Sequence, residues 1–252
     1  MERRFSCPTC GKCCYGQLPL SLDDALAHAD RFPLVVMWTP VRQGGRSFDI
    51  TAELGITIKL RKRRLAAVQI TPCAYLPPSF ACPELTEDGL CAIHAEKPQR
   101  CRTMPFSAYR DEKDQGDLLL PRPAWLCDVS PNAPVVYRDK GILAREAFDA
   151  EHAQLVRAAT ILKPYAEWLL DSVPSLGAEL QKVAMKPSSG QVVVSFATLI
   201  PRLPKLDIYE FAEKQLPIMK ALAEKTAGDP ALADYHKRYA DMAGEWERIA
   251  RA

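Results

Sequence analysis

Four cysteines fall within eight residues near the amino terminus, in the run Cys7-Pro8-Thr9-Cys10-Gly11-Lys12-Cys13-Cys14. Cys7, Cys10 and Cys13 are spaced C-x2-C-x2-C. At that spacing adjacent sulfurs can fold around one centre while the intervening turn offers backbone N–H groups to the thiolates. The same spacing opens the bacterial ferredoxin run that ligates a [4Fe–4S] cluster. A structural zinc site normally takes two C-x2-C pairs separated by a loop. The third and fourth cysteines here tilt the reading toward iron–sulfur without deciding it. Because Cys13 and Cys14 are adjacent, their side chains are expected to diverge, serving two centres or leaving one spare thiol.

Five further cysteines follow at Cys73, Cys82, Cys91, Cys101 and Cys127, and none lies beyond. Pro72 precedes Cys73 and Pro83 follows Cys82, and a proline beside a ligand reduces the entropy lost when a site forms. Nine thiols allow two four-ligand centres with one left over, or one centre with a reactive remainder. An odd number cannot pair off completely in disulfides. Lys12, Arg100 and Arg102 sit beside cysteines; such cations offset thiolate charge and lower thiol pKa. His94, three residues after Cys91, is a further candidate ligand. His152 and His236 lie on apolar helix faces and read as core residues. Trp125 is expected to pack against the site.

The elements that must position these sulfurs are uneven along the chain. Ser21-Leu22-Asp23-Asp24 predicts a helix start with Ser21 as N-cap. Leu34 to Val41 predicts an extended segment and Gly44-Gly45 a turn. Alternation of Ile56, Ile58 and Leu60 with polar residues predicts strand between Ile56 and Thr71. Five of the six residues from Lys59 to Arg64 are basic. This run reads as the solvated tip of a hairpin, with docking of an acidic partner as the alternative. Residues 72–130 are rich in proline and cysteine and lack long periodic segments, so they need a staple, which a metal centre would supply. Glu87-Asp88-Gly89 is a turn signal between Cys82 and Cys91.

Beyond Gly141 the pattern becomes helical. Phe148, His152, Leu155, Ala159, Leu162, Ala166 and Leu169 form an apolar stripe at ~3.6 residues per turn, with Pro164 inside it. Pro174 to Met185 predicts a second helix. Ser188-Ser189-Gly190 is expected to break to a strand at Val192-Val193-Val194. Asp207 with Glu210, and Asp229-Pro230, mark the starts of two final helices. The fold class expected is α+β: a small cysteine-rich, loop- and strand-containing metal-binding domain over 1–135, then a mainly helical domain over 136–252.

Composition excludes more than it assigns. Charged residues are 25% and the hydrophobic class 48%, both ordinary for a globular chain, and the net charge is +2. Nothing there points to nucleic acid or a membrane surface. The amino terminus lacks an apolar h-region, and no apolar run approaches the ~20 residues of a membrane helix. A cytoplasmic protein with reduced thiols is expected. The chain has no G-x-S-x-G, P-loop, H-E-x-x-H, glycine-rich dinucleotide turn or radical-SAM C-x3-C-x2-C.

The chain resembles the CxxCxxCC family of zinc- or iron-chelating domains, the YkgJ-type cysteine cluster proteins. The matching residues are Phe5 to Cys14, Pro72 to Leu76, Cys91 to His94 and Lys97 to Phe106. The resemblance covers roughly residues 5 to 130. It implies a shared cluster of Cys7, Cys10, Cys13, Cys14, Cys73, Cys91 and Cys101, to which Cys82 and Cys127 are added. His94 stands where tyrosine is common in the family. One branch is similar in its cysteine domain to flagellin lysine N-methylases, which would imply S-adenosylmethionine as a methyl donor. No methyl-donor site is recognisable in this sequence.

The reading is a cysteine-cluster metalloprotein holding an iron–sulfur cluster (4Fe–4S by spacing), iron or zinc through Cys7–Cys14 and Cys73–Cys127. A protein-lysine N-methyltransferase and a metal carrier or redox sensor are the alternatives. A protein partner would dock through residues 59–64 or the helical half. Catalytic residues are not assignable from the sequence.

Overall fold

The computed structural model describes residues 2–187, 190–203 and 206–251. The expected break at Ser188-Ser189 lies outside the described residues. In chain order the first elements are β1 (Glu2–Arg4), β2 (Leu18–Pro19), α1 (Leu22–Ala27), β3 (Leu34–Arg42) and α2 (Phe48–Leu54). The hairpin strands β4 (Ile56–Lys59) and β5 (Leu65–Ala74) and the short α3 (Gln99–Thr103) follow. Then come β6 (Val135–Arg138), β7 (Gly141–Ile142), α4 (Glu146–Ser172), α5 (Pro174–Met185) and β8 (Val192–Ser195). The chain ends with α6 (Ile208–Thr226) and α7 (Ala233–Ala250). Helix is 48% and strand 18%, with the helices concentrated late in the chain, so the fold class is α+β.

The central sheet has five antiparallel strands. β3 lies between β5 and β8, and β5 receives β2 and β4 along its other edge at different heights. Leu34 to Trp38 are all buried, so both faces of β3 are covered and its apolar run is continuous rather than alternating. A second, three-stranded sheet runs β1-β6-β7. The helix α2 carries no signal in the reading above. It follows the Gly44-Gly45 turn and ends at Gly55, where a Cβ would lie 2.1 Å from the Val68 carbonyl oxygen.

The local rules explain most of the elements. Ser21 accepts from the Asp24 N–H and caps α1; Asp207 accepts from the Tyr209 and Glu210 N–H groups and caps α6. The stripe on α4 is buried as its period requires, except that the buried polar group is Glu151 rather than His152. Asp229-Pro230 opens a 3-10 turn that leads into α7.

One core joins Val35, Trp38, Val68 and Ile70 of the sheet to Leu162, Leu180, Phe211, Met219, Tyr239 and Trp246 of the helices. The side chain of Gln215, fully buried on α6, caps the start of β3. Its Nε2 donates to the Ala29 and Phe32 carbonyls, and its Oε1 accepts from the Leu34 N–H. Tyr239 of α7 donates to the Tyr75 carbonyl just past β5. The loops that carry most of the cysteines hang from this framework, while Cys73 lies in β5 and Cys101 on α3.

Candidate metal centre

Three backbone bridges bring distant cysteines together. Ser6 pairs with Asp128 through two N–H···O bonds, which sets Cys7 beside Cys127. Tyr15 pairs with Ala81, and the Cys82 N–H donates to the Cys14 carbonyl at 2.8 Å. Leu85 pairs with Cys91, closing a small loop through the predicted Gly89 turn. The opening octet lies on that loop. Gly11 has φ +68, and a Cβ there would meet the Gly89 carbonyl oxygen at 2.9 Å and Leu85 Cδ1 at 3.0 Å. Only glycine satisfies both the conformation and the approach.

Cys101 arrives on α3. The Gln99 N–H at the start of that helix donates to Asp24 of α1, and Thr103 donates to the Ala147 carbonyl. Arg100 contacts both carboxylate oxygens of Glu151 on α4, and Glu151 also accepts from the Ala108 N–H. Arg31 reaches Glu84 at 3.1 Å and ties the segment after α1 to the Cys82–Cys91 loop.

Electrostatics identify which thiols share a neighbourhood. The Cys14 thiol donates to the Cys13 sulfur, and this chiefly holds the Cys13 pKa down at about 6, against an ordinary 9.0. The same bond pushes Cys14 far up, with burial second and then the fields of Cys13, Cys82 and Cys101. The pair therefore meets rather than diverging, contrary to the expectation from adjacency. Burial lifts Cys101 to about 12, and Cys82, Cys13 and Cys91 add to it. Burial also raises Cys82, with Cys91 and Cys13 contributing. Burial raises Cys127, and its listeners are different: Cys7, Cys10 and again Cys13. Cys13, Cys14, Cys82, Cys91 and Cys101 thus form one group. Cys7, Cys10 and Cys127 form a second that touches the first through Cys13.

Cys73 sits elsewhere. It is 2% exposed in β5, its pKa is pushed up to about 12 by burial, and its field is felt by Tyr75, Tyr235 and Tyr239. His94 is exposed. Trp125 carries the Arg122 guanidinium over its ring at 5.2 Å. The cation that lowers Cys13 is Lys97, which adjacency did not point to. Arg102 is committed to the Lys97 and Ala95 carbonyls. Lys97 and Glu151 are site residues that spacing alone could not reveal. Gly11 could have been found, since a glycine inside a run of ligands commonly marks a required positive φ.

All nine cysteines are free thiols. Among the described residues no three His, Cys, Asp or Glu side chains are drawn tightly enough to grip a metal ion as they stand. The donor set nevertheless fits one chemically. Five partly exposed sulfurs from three chain segments, free of disulfides, are the soft ligands that zinc and iron–sulfur clusters take.

A family model described as "CxxCxxCC: Putative zinc- or iron-chelating domain" matches residues 6–121. The match spans the segment from Ser6 to Pro121, which takes in eight of the nine cysteines. The match supports metal binding in general. No curated protein and no solved structure matches the chain significantly. Among the described residues, one shallow concavity of about 240 Å³ lies against Arg238 and Glu245 and another of about 220 Å³ against Arg3 and Leu119. Both are smaller than the ~300–1,000 Å³ of ordinary ligand pockets, and neither is lined by a cysteine. No helix among the described residues is long and apolar enough to cross a membrane.

Proposed function

We propose that this chain is a cytoplasmic metalloprotein whose centre is held by Cys13, Cys14, Cys82, Cys91 and Cys101. Cys7, Cys10 and Cys127 stand beside that centre as further ligands, and Cys73 acts as a core thiol. Residues 1–135 form the metal-holding unit and 136–252 its helical support. The observation that carries this reading is the shared field of five thiols from three separate segments, with Cys13 felt from both groups. An iron–sulfur cluster is favoured over a lone zinc by the C-x2-C-x2-C spacing of Cys7, Cys10 and Cys13, which opens the bacterial ferredoxin run, whereas structural zinc sites take two separated C-x2-C pairs. Bound there, the group would supply electron transfer or a structural staple. The chain's own part is to hold the sulfurs and to offset their charge with Lys97.

The test is metal analysis with a visible spectrum on anaerobically purified protein. Absorbance near 400 nm with iron and sulfide is expected; a colourless protein with stoichiometric zinc would replace the cluster with zinc. Cys101→Ser should lower the metal content, and Cys73→Ser should leave it intact. Loss of metal in the second variant alone would overturn the assignment of Cys73.

A second reading is a metal carrier or redox sensor. It is favoured by the exposed position of Cys13 and its hydrogen bond from Cys14. Rapid transfer of the bound metal to a chelator through Cys13 would support it; metal release no faster than global unfolding would exclude it. Methyl transfer rests on the family resemblance alone.

A further inference from the structure

The most concentrated charge in the molecule lies away from the cysteines. Residues 54–83 contain no aspartate or glutamate, and inside that stretch sit Lys59, Arg61, Lys62, Arg63 and Arg64. Arg61 to Arg63 form the 3-10 turn between β4 and β5, at the tip of the hairpin. Lys62 and Arg63 take φ +59 and +58, a left-handed conformation that costs side-chain-bearing residues free energy. All four residues from Arg61 to Arg64 are exposed.

Tertiary structure enlarges this cluster. The end of α5 packs beside the hairpin: Gln181 donates to the Lys59 carbonyl, and Arg64 reaches the Met185 sulfur at 3.8 Å. That brings exposed Lys186, at the end of α5, to the same edge. Arg42 holds this end in place by donating to the Lys186 and Pro187 carbonyls. Elsewhere in the molecule surface cations commonly pair, as Arg46 does with Asp117 and Lys214 with Glu210. Among the described residues, no carboxylate forms an ion pair with Lys59, Arg61, Lys62, Arg63, Arg64 or Lys186.

Six like charges on one edge repel one another and lower the stability of the free protein. A chain with net charge +2 has enough acids elsewhere to neutralise them locally, and does not. We infer that this hairpin tip and the end of α5 form a docking surface for an acidic, glutamate- or aspartate-rich segment of a partner protein. Three observations select that partner. The near-neutral net charge is unlike that of a nucleic-acid-binding domain. The run holds no aromatic residue on which bases could stack. The exposed apolar surface beside it is limited to Met185, too little to enter a bilayer. Arginine guanidinium forks suit carboxylates, which they engage through paired N–H donors.

The test uses the full chain and a fluorescent decaglutamate peptide, followed by anisotropy at low ionic strength. Two variants change the net charge equally, by −4: Arg61→Glu/Lys62→Glu at the tip and Lys237→Glu/Arg248→Glu on α7. The expected result is peptide binding that weakens with salt, is lost at least about tenfold in the tip variant and is kept in the α7 variant. No binding by the unaltered chain, equal loss in both variants, or tighter binding of a single-stranded oligonucleotide or of phosphatidylserine vesicles would each overturn it.

Discussion

A single guanidinium nitrogen of Arg100 stands 3.0 Å from both carboxylate oxygens of Glu151. The two side chains are 13% and 6% exposed, so the contact is almost out of water. It joins the helix that carries Cys101 to the long helix α4. Burial nonetheless outweighs Arg100 and holds the Glu151 pKa above its ordinary 4.5. A pair of this kind is costly to break and contributes little to net stability when made.

Glu151→Leu alone should therefore destabilise the protein by about 3–5 kcal/mol, since Arg100 is left buried and unpaired. The double replacement Arg100→Met/Glu151→Leu should come back close to the starting stability. Urea denaturation distinguishes the two. The sign of the pH dependence follows from the raised pKa. The contribution of Glu151 is fully present below pH 4.5, and is lost as pH rises through its higher folded-state value. The unaltered protein should thus lose stability relative to the double variant as pH climbs above 4.5.

Cys13 should be the most reactive thiol of the metal-free protein near pH 7. Its pKa of about 6 means that the thiolate predominates above that pH and that reactivity falls as pH drops through it. Iodoacetamide labelling followed by peptide mass analysis reads this directly. Cys14→Ala removes the donor and should move the midpoint up toward 9; an unchanged midpoint would show that the Cys14 bond is not its cause.

Gly11→Ala and Gly89→Ala separate crowding from backbone strain. Both glycines have positive φ, but a Cβ at Gly89 meets open space while one at Gly11 meets Gly89 and Leu85. Each should lose about 1–2 kcal/mol from the left-handed conformation. Gly11→Ala should lose more, and should also weaken metal retention against a competing chelator. Equal effects in thermal melts would mean that the octet does not lean on the Gly89 turn.

Gln215→Met fills nearly the same volume and removes every polar contact to Ala29, Phe32 and Leu34. Three buried backbone groups would be left unpaired, at about 1–3 kcal/mol each before relaxation. A loss of at least about 3 kcal/mol in chemical denaturation is expected. A loss under 1 kcal/mol would mean that water reaches the start of β3.

The regular elements were legible because each rests on a short-range rule. The caps at Ser21 and Asp207, the α4 stripe, the bounds of α5 and the 56–71 hairpin are all dictated by neighbours three or four residues away, or two on a strand. The family resemblance was equally legible from ordered cysteine blocks. What escaped was long-range. Nothing near Lys97 announces that it will face Cys13, and nothing near Glu151 announces Arg100. The contact of Cys13 with Cys14 depends on a turn that closes at Gly11, as the Cys14 N–H to Gly11 carbonyl bond shows. The grouping of the thiols is set by the bridges at Ser6, Tyr15 and Leu85, whose partners lie up to Asp128.

The pairing of β8 with β3 has a consequence for the order in which the protein is made. Cys7 leaves the ribosome 185 residues before Val192, the first residue of the strand that completes the sheet (192 − 7 = 185). At ~5–20 residues per second, on the order of ten seconds or more pass between the two. Gln215 and Tyr239, which fasten β3 and Tyr75 from behind, emerge later still. By the time Cys127 has been made, all nine thiols precede by 65 residues or more the strand that completes the sheet (192 − 127 = 65). The framework that positions the cysteine loops is therefore complete only after the carboxy-terminal helices have been made.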